Sequence, residues 1–283
     1  MKKILALIAT LAIACLALAG CGGSQSATSG SSSSSSAASS GTKTLKVGAT
    51  AVPHAEILEA AKPLLKERGV DLEIVEFNDY VQPNLALNDK ELDANYFQHL
   101  PYLENFKEEH PEVKLVSAAG IHIEPMGVYS KKVKDLKDLK DGASIAIPND
   151  PTNGGRSLLL LQRAGLIKLA EGVNEKATVQ DITENPKNLK FQEVEAAQVP
   201  RTLDDVDAAV INSNFAMQVN LDPTKDALFI EDSTSPYVNI IAVREGDTER
   251  PEIKALIEVL QSQAIKDFIN DKYKGAVVPA FTN

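Results

Sequence analysis

A β-branched run, Ser144 to Ile147, leads into Pro148-Asn149-Asp150-Pro151-Thr152-Asn153-Gly154-Gly155-Arg156, and an apolar stretch, Ser157 to Leu161, follows. Proline, asparagine and glycine in this order read as a turn that opens a helix, with Arg156 in its first turn. Unpaired backbone N–H groups at a helix start favour an anion, and two glycines would let the backbone come close to it. A guanidinium fork in that place matches a planar carboxylate through two parallel N–H bonds. The expected chemistry is therefore capture of a carboxylate or phosphate. The Gly-Lys-Ser/Thr ending of a nucleotide phosphate loop is absent.

A second informative stretch, Asp93 to Tyr102, packs Tyr96, Phe97, His99 and Tyr102 around a strand-to-helix junction marked by Pro101. Strand alternation sends Tyr96 and Gln98 one way and Phe97 and His99 the other, so Phe97, His99 and Tyr102 could form one wall. The competing reading makes Phe97 core and His99 a satisfied core or surface residue. His54, His99, His110 and His122 are scattered, with no pair at the i, i+4 spacing of a helical zinc site, so no metal is expected. His54 and Glu56 fall at a helix start, where capping and dipole compensation are the ordinary roles. Asn214 reads as a cap for the helix that carries Phe215.

Short β-rich runs alternating with helical patterns must position these residues. Strands are expected at Leu45 to Thr50, Asp71 to Phe77, Ala94 to Phe97, Val113 to Ser117, Pro125 to Ser130, Ala143 to Ile147, Leu189 to Val194, Ala208 to Ile211, Ala227 to Glu231 and Tyr237 to Val243. Helices are expected at His54 to Arg68, Val81 to Asn88, Pro101 to Glu109, Arg156 to Ala164, Phe215 to Asn220 and Pro251 to Tyr273. The repeated strand–helix order implies an α/β fold with parallel sheet. The body from Leu45 onward, about 240 residues, suits two lobes better than one. Chain crossings between them are placed near His122 to Glu124 and Ser233 to Tyr237. This assigns 45–122 plus 238–283 to one lobe and 123–237 to the other.

Lys2 and Lys3 precede an apolar run, Ile4 to Ala19, that is shorter than the roughly 20 residues of a membrane span and ends at Leu18-Ala19-Gly20-Cys21. Residues 1–20 read as an export signal, and Leu-Ala-Gly-Cys resembles the bacterial lipobox, in which the cysteine is lipidated. Cys15 falls in the removed part, which leaves no disulfide and no cysteine-based site. The Ser-rich segment that follows, within 21–44, is too poor in apolar residues to fold and reads as a tether. The chain has 29 basic and 39 acidic residues, and loss of Lys2 and Lys3 leaves 27 against 39, a net charge of −12. Such a balance argues against nucleic acid or anionic lipid as a binding partner.

Five stretches in collinear order carry a family resemblance: Val52 to Leu58, Asp93 to Tyr102, Pro148 to Arg156, Ala208 to Asn212 and Pro236 to Asn239. Together they resemble the methionine-binding lipoproteins, substrate-binding components of ABC importers. The resemblance implies a two-lobed periplasmic-binding-protein fold that closes on its ligand, with no cofactor and no catalysis. It also implies that Arg156 holds the amino acid's carboxylate. Asn153, Asn212 and Asn239 would serve the amino and carboxylate groups, and Tyr80, Phe97, His99 and Tyr102 the thioether side chain. Sulfur is polarizable and sits well against aromatic rings. The implied partners are methionine, as the L or D form or a short methionyl peptide, an importer permease, and the membrane on its extracytoplasmic face. The alternative is an extracellular enzyme acting on an amino acid or methionyl peptide with His99 as general base, although no serine, cysteine or carboxylate stands in a nucleophile motif.

Expression of a Cys21→Ala chain tests the anchor. Acyl chains contribute about 0.8 kcal/mol per buried CH2, so the variant should leave the membrane fraction, and its retention there would overturn the assignment.

Overall fold

The computed structural model describes residues 42–232 and 235–281. The export segment, Cys21 and the Ser-rich stretch up to residue 41 lie outside the described residues. In chain order the first lobe runs β1 (Lys43–Thr50), α1 (Glu56–Glu67), β2 (Val70–Phe77), α2 (Gln82–Asn88), β3 (Ala94–His99), α3 (Leu100–Glu109) and β4 (Leu115–Ile123). The second lobe follows with β5 (Gly127–Tyr129), β6 (Ser144–Pro148), α4 (Pro151–Arg163), β7 (Lys168–Leu169), β8 (Ile182–Glu184), β9 (Lys190–Val194), β10 (Ala208–Ile211), α5 (Ser213–Gln218) and β11 (Phe229–Ile230). The chain then returns to the first lobe with β12 (Val238–Arg244), α6 (Pro251–Leu260), α7 (Gln263–Tyr273) and β13 (Val278–Pro279). No helix among the described residues is long and apolar enough to cross a membrane.

Each lobe is a sheet with apolar clusters on both faces, which is why its strands read as nearly continuous apolar runs. The first sheet has the order β13-β4-β12-β3-β1-β2 and the second β11-β5-β10-β6-β9, with β7 and β8 forming a separate pair. Leu45, Val47 and Tyr96 pack with α1, α6 and α7 on one face of the first sheet. Leu87, Leu103 and Phe106, from α2 and α3, pack with Phe97 on the other. In the second lobe Leu158 and Leu161 of α4 cover one face, while Val199, Leu203 and Phe215 cover the other.

The sheets are mixed where the strand–helix rhythm suggested parallel pairing throughout. Strands β2, β1 and β3 run parallel, as do β9, β6 and β10. Strand β4, which carries the chain away, and β12, which brings it back, run antiparallel to each other, and β12 is also antiparallel to β3. Only the segments made by strand–helix–strand crossovers obey the parallel rule.

Two local expectations also change. Helix α4 begins at Pro151, capped by Asp150, whose carboxylate accepts the Asn153 N–H at 2.9 Å. Arg156 is thus in the second turn, and the two glycines lie inside the helix instead of in a ligand-facing loop. A Cβ on Gly155 would stand 2.1 Å from the Glu175 carbonyl oxygen and 2.8 Å from the Ala177 nitrogen, so this glycine admits a neighbouring loop. In β3, Tyr96 pairs with Ile241 and Gln98 with Ile240, which makes Phe97 an extra, bulged residue. Alternation breaks there, and Gln98 turns round to bond Asn84 and Asn95.

Gly155→Ala tests the loop packing. Backbone atoms must move to admit the methyl group, which should cost about 1–3 kcal/mol, read as a lowered denaturation midpoint; an unchanged midpoint would mean the 175–177 loop moves freely.

Candidate functional site

In open α/β sheets ligands bind beyond the carboxyl ends of the parallel strands. Here those ends point into the cleft between the lobes: Thr50 closes β1, His99 closes β3, Asn149 follows β6 and Asn212 follows β10. Antiparallel β12 enters the same edge with Asn239, paired to His99 on one side and His122 on the other. The resulting cavity comprises about 340 Å³, part of it open to solvent. Tyr80, Phe97, Gln98, His99, Tyr102 and Asn239 line it from the first lobe. Asn153, Arg156, Asn212, Ser213 and Asn214 line it from the second, with Glu124 at the crossing.

Arg156 is buried and already holds a carboxylate, that of Glu231. Its Nε donates to Glu231 Oε1 at 2.9 Å, and Nη2 donates to Glu231 Oε2 and to the Glu124 carbonyl oxygen. Tyr237 stacks on the guanidinium, 4.2 Å from ring centroid to carbon. The fork that the sequence offered to a ligand is thus filled from within. Arg156 still lines the cavity, but its fork is committed to Glu231 and the Glu124 carbonyl.

Asn153 ties the lobes together. Its Oδ1 accepts Asn212 Nδ2 at 2.8 Å from its own lobe and His99 Nε2 at 3.1 Å from the other, while its Nδ2 donates to Asp150. The tautomer of His99 follows. Nδ1 accepts the Tyr102 backbone N–H at 3.1 Å, capping α3, so the proton sits on Nε2. Burial, reinforced by the Arg156 charge, pushes the His99 pKa down to about 3. Neither ring nitrogen retains a lone pair with which to act as a general base.

The buried face of the site is a hydrogen-bonded set that the sequence did not bring together. His54 accepts from Thr50 Oγ1 (2.7 Å) and directs Nε2 at Asn239 Oδ1 (3.0 Å) and Glu124 Oε1 (3.2 Å). His122 Nε2 meets the same Glu124 oxygen at 2.8 Å, and its Nδ1 meets the Tyr96 hydroxyl. His54 therefore points into the protein instead of capping a helix. Among the described residues, His54, His122 and Glu124 are the group of possible metal ligands, their ligand atoms within 4.8 Å of one another. Each of those atoms is engaged in a hydrogen bond. Burial raises the Glu124 pKa against the opposing pull of His54, Arg156 and the Asn214 N–H.

Asn214 is no cap. Asn212 holds the N-cap position of α5 without a side-chain cap bond, and Asn214, inside the helix, turns its amide into the cavity. Its Oδ1 accepts the Tyr80 hydroxyl at 2.6 Å, a bond between lobes. The Nδ2 of Asn214 and the Oδ1 of Asn212 are buried without a partner among the described residues. At this end Tyr80, Phe97 and Tyr102 form an aromatic cluster, with Tyr80 5.8 Å from Phe97 and 5.7 Å from Tyr102 between ring centroids. The cavity gathers all eight residues singled out in the sequence, and adds Gln98, Glu124, Ser213 and Asn214. A carboxylate in a crossing segment and an amide inside a short helix carry no spacing signal.

The family model described as NlpA lipoprotein matches residues 45–281. Over 244 residues the chain is 50% identical to the methionine-binding lipoprotein MetQ of Bacillus subtilis, covering 85% of this chain and 89% of that protein. The structure of a nutrient binding protein from Burkholderia cenocepacia bound to methionine is 51% identical, with a TM-score of 0.81 over 84% of this chain and 100% of the other. That of an ABC transporter periplasmic substrate-binding protein from Coxiella burnetii is 44% identical, with a TM-score of 0.80 over 83% and 100%. The fold is the two-lobed one of periplasmic substrate-binding proteins.

Burial sets a pH dependence whose sign can be stated. His54 is pushed down to about 4 and His99 and His122 to about 3, from an ordinary 6.5. The unfolded chain binds more protons at these residues, so their contribution is fully present above pH 6.5 and is lost as the pH falls towards 3 to 4. Glu124 and Asp150, both raised by burial, act in the opposite sense above the ordinary carboxylate range. Three histidines outweigh two acids, and the melting temperature should be lower at pH 5 than at pH 7. A melting temperature that rises on acidification would show that the buried carboxyls of Glu124 and Asp150 outweigh the imidazoles.

Proposed function

The chain belongs to the NlpA lipoprotein family, and from that premise we propose that it captures methionine outside the cytoplasm and delivers it to the permease of an ABC importer. The observation that carries this reading is a single cavity with two chemically opposite ends. One end presents Arg156, Glu124 and three asparagines, and the other presents the rings of Tyr80, Phe97 and Tyr102. An amino-acid zwitterion needs both donors and acceptors in a dry site, and a thioether needs a polarizable apolar wall.

The roles divide along the hydrogen-bond inventory. Arg156 is the cation for the carboxylate. Oδ1 of Asn212 and the carboxylate of Glu124 are acceptors for the ammonium, and Asn239 is held beside them by His54. Asn153 and His99 spend their polar atoms on each other and on their neighbours, so they act by fixing Asn212 and the first turn of α3. The enzyme alternative loses its general base with the His99 tautomer, and the family consists of binding lipoproteins. An acylated Cys21 would hold the body at the extracytoplasmic face of the membrane.

Calorimetry on ligand-stripped protein tests the reading with L-methionine, D-methionine and a methionyl dipeptide; no binding of any of them overturns it, and turnover of the dipeptide revives the enzyme. The Arg156→Lys variant should bind methionine about 10- to 100-fold more weakly. An ammonium cannot satisfy Glu231, the Glu124 carbonyl and a ligand in the directions that a guanidinium spans. A change below about threefold in a protein folded by circular dichroism would remove Arg156 from the site.

A further inference from the structure

We propose that Tyr80 sets the length of side chain that the cavity admits, and that a subsite for larger uncharged substituents on sulfur lies behind it. The inference rests on the methionine reading above. The Tyr80 ring lines both the cavity already described and a neighbouring hollow that is open to solvent, and stands between them. Phe97 lines the first void and not the second, whereas Phe215 lines the second and not the first. Tyr80 packs on both, with ring centroids 5.8 Å from Phe97 and 4.9 Å from Phe215.

The partition is fixed in place. Its hydroxyl donates to Asn214 Oδ1 at 2.6 Å, and its own carbonyl oxygen accepts the Tyr102 hydroxyl at 3.0 Å. Tyr102 lines both voids and completes the wall. A thioether directed away from Arg156 would end against these rings. Beyond them, Val81, Ala196, Ala197 and Phe215 offer apolar surface to an alkyl chain. Asp79, Asp150 and Glu195 line the same void and would repel an anionic substituent.

The test compares methionine with S-butylhomocysteine on ligand-stripped, full-length wild-type, Tyr80→Ala and Tyr80→Phe proteins by calorimetry. Wild type should prefer methionine, and Tyr80→Phe should keep that preference because the ring remains. Tyr80→Ala should shift the affinity ratio towards the butyl compound by about tenfold or more, since each CH2 taken out of water favours binding. An unchanged ratio in Tyr80→Ala overturns the proposal, as does a wild type that takes both compounds equally. A shift in Tyr80→Phe as large as that in Tyr80→Ala also overturns it, because the limit would then lie in the bond to Asn214. Should Tyr80→Ala bind neither compound, Tyr80→Leu provides the same comparison, and loss of both in that variant too counts against the proposal. A wild type that binds no methionine defeats the functional reading first, which is a distinguishable failure.

Discussion

The site depends on one buried ion pair. Arg156 and Glu231 are almost fully shielded from water, and an ion pair in such a place is kept only when its geometry is good and its remaining protons are satisfied. Glu231 takes one edge of the guanidinium, Tyr237 takes a face, and the Glu124 carbonyl takes a further N–H. A cation is thereby held in the cleft as part of the cavity wall. Without Glu231 the arginine would be an uncompensated buried charge, and removing one partner of such a pair typically costs about 3–5 kcal/mol. The same pair joins α4 to the segment that leads back towards β12, so the cation in the cavity wall and the crossing between lobes are parts of one assembly.

Around this pair the polar atoms of the cleft follow a rule of near-complete pairing. Buried amides and imidazoles that are not hydrogen-bonded cost stability, and here Asn84, Asn95 and Gln98 satisfy one another while Asn153 joins His99 to Asn212. Against that background the unpaired atoms are few: Asn212 Oδ1, Asn214 Nδ2 and the hydroxyl of Tyr129 among the described residues. Two of the three face the cavity, one an acceptor and one a donor. That is the complement a zwitterion requires.

Much of this was legible in the sequence. Strand and helix order followed from apolar periodicity, while the two-lobed binding-protein fold and the aromatic wall with Tyr80 followed from the family resemblance. The start of α4 was readable too, since Asp150 followed by Pro151 is a cap and first-turn signature, yet Asn-Gly-Gly drew attention as a turn. The rest was set by tertiary pairing. A bulge at Phe97 exists because β12 skips a residue against β3, and no period-2 pattern encodes it. His54, Glu124 and His122 come from a turn before α1, a crossing segment and the end of β4, and only the paired strands bring them to one point. Asn214 looked like a cap because short polar residues before an apolar helix usually are.

The path of the chain through the first sheet bears on its birth. Strands β5 to β11 are continuous in sequence, so the second sheet has all its members once Ile230 has been made. The first sheet cannot close until β12 is inserted between β4 and β3, and Ile253, Leu256 and Val259 of α6 complete the cluster around Leu45 and Val47. Contacts of such long sequence separation are slow to form, and domains emerge and fold in the order of synthesis. The amino-terminal lobe therefore waits, open at its centre, for the last residues of the chain. A protein stalled before Val238 would hold one finished sheet and leave β3 and β4 without the strand that joins them, exposing edges prone to aggregation.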